Sequence, residues 1–123
     1  MASIDIKRAR KLLKSAKDLY EKGDINGVAG LGYAAFESAT MALTTETNGT
    51  DYHNHYLRRK RAKQLLKKYQ DKIDFLWEVR NIDFYGNVKA NAKKREISYE
   101  EVEMSLKVIE TIIDEIEKIL KKI

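Results

Sequence analysis

The richest run of reactive side chains is Trp77-Glu78-Val79-Arg80-Asn81-Ile82-Asp83-Phe84-Tyr85-Gly86. Arg80, Asp83, Phe84 and Asn87 are spaced so that a helix would carry them on one face. A guanidinium fork beside a carboxylate and an amide, near a helix end, could position a phosphate and hydrogen-bond a ribose. Equally, Arg80 and Asp83 could form an ion pair while Tyr85 packs at the end of a core helix. Surface pairs of that kind are nearly neutral in energy.

Two more groups could take part in chemistry. His53-Asn54-His55 follows closely on Asp51. Two imidazoles so close together could contribute to a metal site or supply a base, but they are too few for a closed site. Loop polarity and capping of the next helix explain them as well. Arg58-Arg59-Lys60-Arg61-Ala62-Lys63, followed by Lys67 and Lys68, is the densest basic run. Wound into a helix it leaves a cationic outer face opposite Leu65 and Leu66. With Tyr56 and Tyr69 at its ends, that face could track a phosphate backbone through Arg58, Arg59, Arg61 and Lys63. It could equally be a solvated surface.

Composition narrows the field. The 123 residues suit one domain, spanning 1–123, and contain neither cysteine nor proline. Disulfides, cysteine-based zinc sites and thiol nucleophiles are thereby excluded. There is no Glu-x-x-His pair, Walker loop, dinucleotide fingerprint or Ser/His/Asp order, so no metal and no cofactor is expected. The polar first ten residues and the lack of a long apolar run point to a cytoplasmic protein without a membrane span.

Net charge is +5, unevenly spread. From Glu96 onward eight acids face four lysines, a balance of −4 that leaves +9 on the first 95 residues. A basic body suggests an anionic partner, nucleic acid first, although lysine and glutamate also solvate heat-stable surfaces.

The elements that must position these groups are helices. Ile4, Leu12, Leu13, Ala16, Leu19 and Tyr20 predict a first helix over Ile4–Lys22, stopped by Gly23, with Asp24 capping the next. The second, Ile25–Thr45, has small residues along one side (Gly27, Gly30, Ala34, Ala35, Ser38, Ala39, Ala42), which implies close approach of a neighbour. Thr44–Asn54 is the main loop, and Asn48-Gly49-Thr50 within it reads as a turn. A third helix is expected over Tyr56–Tyr69, with Leu57, Ala62, Leu65 and Leu66 inward. A break at Gln70–Asp74 would be capped by Asp71 or Asp74, and a fourth helix would run over Ile73–Tyr85. After a basic connector, Ser98 and Glu101 have capping-box spacing before a heptad seam from Val102 to Ile123. That seam is wide enough to serve both the chain's own bundle and a partner subunit.

Arg80-Asn81 followed by Tyr85-Gly86, late in a helical chain, resembles the signature region of HEPN domains. Asp24-Ile25-Asn26-Gly27 and then Tyr33-Ala34-Ala35-Phe36-Glu37-Ser38-Ala39 are similar to that family's second helix. The resemblance covers nearly the whole chain. It implies an all-α, antiparallel four- to five-helix up-and-down bundle that forms a homodimer. Many members are metal-independent endoribonucleases, often toxins neutralised by a nucleotidyltransferase-type antitoxin. Their catalytic motif is an arginine, often with a polar follower, and a histidine four to six positions later. Arg80 and Asn81 match the first two.

At the histidine's place stand Tyr85 and Gly86. An unperturbed tyrosine is a poor base near neutrality, whereas an imidazole exchanges protons there. The resemblance therefore implies RNA or nucleotide binding, with Arg80 stabilising phosphate charge. Asn81 and Asp83 would organise the ribose and the arginine, and Tyr85 would stand in for the histidine. The other expectation is a catalytically inactive module that binds a nucleotidyltransferase partner or its own copy. A plain four-helix scaffold is the third.

Overall fold

Residues 2–49, 54–88 and 92–122 are described by a computed structural model. Five helices follow one another: α1 (Ala2–Glu21), α2 (Ile25–Asn48), α3 (His55–Leu65), α4 (Gln70–Tyr85) and α5 (Tyr99–Lys122). A 3₁₀ turn at Lys67–Tyr69 links α3 to α4, and no strand occurs among the described residues. The chain is the all-helical antiparallel bundle that its sequence implies.

The first turn forms for the reasons its residues suggest. Gly23 takes φ 83°, a left-handed conformation that other residues reach only with strain. Asp24 then accepts the Gly27 backbone N–H at 3.1 Å and caps α2. From there α2 packs on all four other helices. Its small residues make this possible: Ala35, Ala39 and Ala42 are fully buried. A Cβ added at Gly27 would sit 2.8 Å from Leu19 Cδ1, and one at Gly32 would sit 3.0 Å from Ile109 Cδ1. Phe36 and Leu43 fill the space between the neighbours that come so close.

Several expectations shift, beginning with α2, which runs on to Asn48 into the stretch expected to be the main loop. The third helix ends early, because the backbone leaves the helical region at Leu66 (φ −116°, ψ 61°). The break buries Leu66 in the core, and α4 starts at Gln70 behind Tyr69. Neither Asp71 nor Asp74 caps it; Asp74 reaches back to Lys63 Nζ at 2.8 Å. Leu57, expected inward, is exposed.

In α5 the seam is used inside the chain. Ile109, Ile112, Ile113 and Ile116 are fully buried against the bundle's own core. Making that stretch polar would unfold the chain rather than probe a partner, and the end of the seam at Ile123 lies outside the described residues. The capping box forms as its spacing implies. Ser98 N–H donates to Glu101 Oε1 at 3.0 Å, and the Glu101 N–H donates to Ser98 Oγ at 3.2 Å.

Arg95 completes the box with a fork onto both Glu101 oxygens, at 2.8 and 2.6 Å. Arg95 first, then Ser98, hold the Glu101 carboxyl down to about 2, against the opposing effect of burial. A depressed carboxylate stabilises the fold fully above its ordinary pKa of 4.5 and loses that contribution as pH falls toward about 2. Thermal melts of Glu101→Gln should therefore lie below wild type at pH 7 and converge with it toward pH 2. A constant gap across that range would contradict the linkage.

Candidate nucleic-acid interface

Helix α4 carries Trp77, Arg80 and Phe84 on one face because they lie three and four residues apart. The Arg80 guanidinium carbon is 4.8 Å from the Trp77 ring centre and 4.4 Å from that of Phe84. Tyr33 of α2 and Tyr85 at the end of α4 complete the surround at 5.8 and 5.9 Å. Arg80 is only 9% exposed. One hydrogen bond, to Asn81 Oδ1 at 3.1 Å, serves its five N–H groups, and among the described residues no carboxylate pairs with it. Each desolvated cation–π contact returns up to about 2 kcal/mol. Removing a cation from water costs several kcal/mol. The rings hold the charge in place without neutralising it.

A second guanidinium meets the same indole. Arg59, from α3, lies 4.1 Å from the Trp77 ring centre and 5.7 Å from that of Tyr56. One of its terminal nitrogens is buried and makes no hydrogen bond of good geometry, and the Tyr33 hydroxyl is buried in the same state. Burial pushes the Tyr33 phenol well above its ordinary range; Glu37 adds to the shift, and Arg59 and Arg80 oppose it. The phenol keeps its proton throughout the neutral range and remains a donor. Two guanidinium groups and a phenol thus gather about one tryptophan, rich in donors and poor in acceptors. An anion with several acceptor oxygens fits that deficit.

From Arg59 a groove of about 430 Å³ runs between α3 and α4, lined by Tyr56, Lys60, Lys63, Gln70 and Asp74 among others. Arg59, Lys60 and Lys63 give its wall three cations against the single carboxylate of Asp74, which holds Lys63.

Not every residue singled out from the sequence joins this cluster. Arg80, Asn81, Tyr85 and Arg59 do, and Asn81 also ties down the following loop through Val88 O at 3.3 Å. Asp83 does not: its carboxylate turns to α2 and accepts from Asn26 Nδ2 at 2.8 Å. The Arg80–Asp83 ion pair is absent for that reason. Burial raises the Asp83 carboxyl, the Asn26 hydrogen bond opposes the rise, and Asp24 adds to it. Arg58 turns toward α2 and pairs with Glu37 at 3.2 Å. Arg61 donates to Gln64 at 3.0 Å and lines a separate hollow with Leu57 and Lys60. His55 begins α3 against Glu37, its ring 6.2 Å from that of Trp77. His53 and Asp51 lie outside the described residues. The sequence places Phe84 on the face of Arg80 but does not single out Trp77 or Tyr33 as site residues. The signal that marks two of them is Trp77-x-x-Arg80-x-x-x-Phe84, which brings two rings within cation–π distance of one guanidinium.

A family model described as HEPN domain matches residues 3–119. The chain belongs to the HEPN family. That family is associated with RNA binding, nuclease activity and toxin–antitoxin roles. No curated protein and no solved structure matches the chain significantly. Among the described residues, no helix of this HEPN domain is long and apolar enough to cross a membrane.

The buried charge of this cluster has a cost to stability that can be measured. Arg80→Met keeps length and apolar contact but removes the cation. Its thermal midpoint without ligand should equal or exceed wild type, since apolar replacement of buried charge is neutral or stabilising by about 1–4 kcal/mol. A loss above about 1 kcal/mol would show that the rings alone compensate the charge.

Proposed function

We propose that this HEPN protein binds single-stranded RNA at the Arg80–Trp77–Arg59 cluster and cleaves it there without a metal ion. The observation that carries the reading is the buried Arg80 guanidinium, with four rings and, among the described residues, no carboxylate. A backbone phosphate supplies the missing negative charge, and its oxygens accept from Arg80, Arg59 and the Tyr33 hydroxyl. Phe84 and Tyr85, 51% and 60% exposed beside the arginine, offer flat faces on which bases stack. The cationic wall of Arg59, Lys60 and Lys63 then guides the strand away along the α3–α4 groove.

The same reading includes a homodimer in which Arg80 and Asn81 line a cleft between protomers. The exposed Phe84 and Tyr85 at the rim support it. A toxin of this kind would be held in check by a nucleotidyltransferase-type antitoxin, and its compartment would be the cytoplasm. Tyr85 at the histidine's place favours a second reading, a binding module without cleavage.

The test is fluorescence anisotropy of a labelled mixed-sequence oligoribonucleotide in EDTA, with gel analysis of the same samples. Wild type should bind, and Arg80→Ala should weaken binding at least tenfold, about 1.4 kcal/mol. Arg59→Ala should weaken it and flatten the salt dependence by about one phosphate. Equal affinity for wild type and Arg80→Ala would reject the site. Binding without cleavage would move the assignment to the binding module.

A further inference from the structure

The HEPN motif lacks its histidine in this chain, yet an imidazole stands close to the same indole. His55, at the start of α3, places Nδ1 against Glu37 Oε2. Its ring lies 6.2 Å from the Trp77 ring, which Arg80 touches at 4.8 Å and Arg59 at 4.1 Å. Glu37 is itself held by Arg58 at 3.2 Å and is only 13% exposed at its side chain. The His55 side chain is 47% exposed. A fixed carboxylate on Nδ1 selects the tautomer with the proton on that nitrogen and leaves Nε2 as an acceptor. Among the described residues nothing else bonds to His55.

We infer that His55, positioned by Glu37, is the general base of this site and takes the role that Tyr85 cannot fill. The inference rests on the proposed RNA cleavage. With the scissile phosphate on Arg80 and Arg59, Nε2 removes the proton from the ribose 2′-hydroxyl. The 2′-oxygen forms a bond to phosphorus, and the bond from phosphorus to the 5′-oxygen breaks with its electron pair staying on that oxygen. The leaving oxygen takes a proton from water, and the imidazolium returns its own to solvent. The products are a 2′,3′-cyclic phosphate and a 5′-hydroxyl, with no oxidant, reductant or metal required.

Tyr85 has a different part. Exposed at the rim and edge-on to Phe84, it is placed for stacking rather than for proton transfer. The Glu37 side chain, one helical turn from Tyr33 on α2, is a positioning group, and the spacing from Tyr33 to Glu37 brings donor and orienter to one face.

The experiment uses the full chain, a cleavable oligoribonucleotide in EDTA and the same strand with 2′-O-methyl groups as a binding probe. His55→Ala should bind the methylated strand as wild type does and cleave the natural strand at least about 100-fold more slowly. Added free imidazole should restore part of that rate, which a structural defect would not allow. Nitrogen-15 spectra should show the His55 proton on Nδ1 in wild type, and a loss of that preference in Glu37→Gln. Cleavage by His55→Ala at the wild-type rate, or a wild-type tautomer with the proton on Nε2, would overturn the base while leaving RNA cleavage intact. Wild-type protein that binds but cleaves nothing would overturn both the base and the cleavage reading. Loss of methylated-strand binding in Arg80→Ala alone would still uphold the binding site.

Discussion

Helix α2 has to touch every other helix of the bundle, and this constraint shapes the rest of the molecule. A helix can hold four neighbours only if most of its surface is small, which is why Gly27, Gly32, Ala35, Ala39 and Ala42 line its contacts. Glycine inside a helix costs about 1 kcal/mol relative to alanine. Close packing of α1 at Gly27 and α5 at Gly32 offsets that cost, since a Cβ at either position would press on a neighbouring side chain. Among the larger side chains of α2, Phe36 and Leu43 fill the core, while Tyr33 and Glu37 face α4 and α3. Tyr33 enters the floor of the arginine site, and Glu37, one turn later, faces α3 and anchors His55 and Arg58.

The site built on that floor has the opposite economy to the core. Core residues are apolar and satisfied, whereas Arg80, Arg59 and Tyr33 keep charge or hydrogen-bonding capacity that the described chain does not use. Each of the four rings around Arg80 also packs the bundle or its rim, so the cation is held without a counter-ion that a substrate would have to displace. An aspartate one turn away could have neutralised it. Asn26 draws that Asp83 carboxylate to the other side of α4 instead, at 2.8 Å. The arrangement leaves Arg80 unpaired by Asp83 where an RNA phosphate would sit.

Local signals made much of the fold legible. Gly23 and Asp24 mark the first turn, and Ser98 with Glu101 marks the start of α5, because capping depends on residues only three apart. The break at Leu66 was not legible. No glycine or proline announces it, and it arises because burying Leu66 in the tertiary core outweighs four more residues of α-helix. For the same reason the spacing of Arg80 and Asp83 suggested an ion pair, while the partner that won, Asn26, comes from a distant part of the chain. Arg80 itself stood out through the family resemblance. Its companions Arg59 and Tyr33 belong to other helices, and only the packing of α2, α3 and α4 brings them to one indole.

Trp77 is the chain's single tryptophan and lies between both arginines, so its emission reports on the site without any label. Titrating the protein with a short unlabelled oligoribonucleotide and following Trp77 fluorescence tests the central claim most directly. A saturable change in wild type that disappears in Arg80→Ala is the predicted result. An RNA-induced change of the same size and midpoint in Arg80→Ala, or no change in wild type at any strand concentration, would contradict an RNA site centred on Arg80.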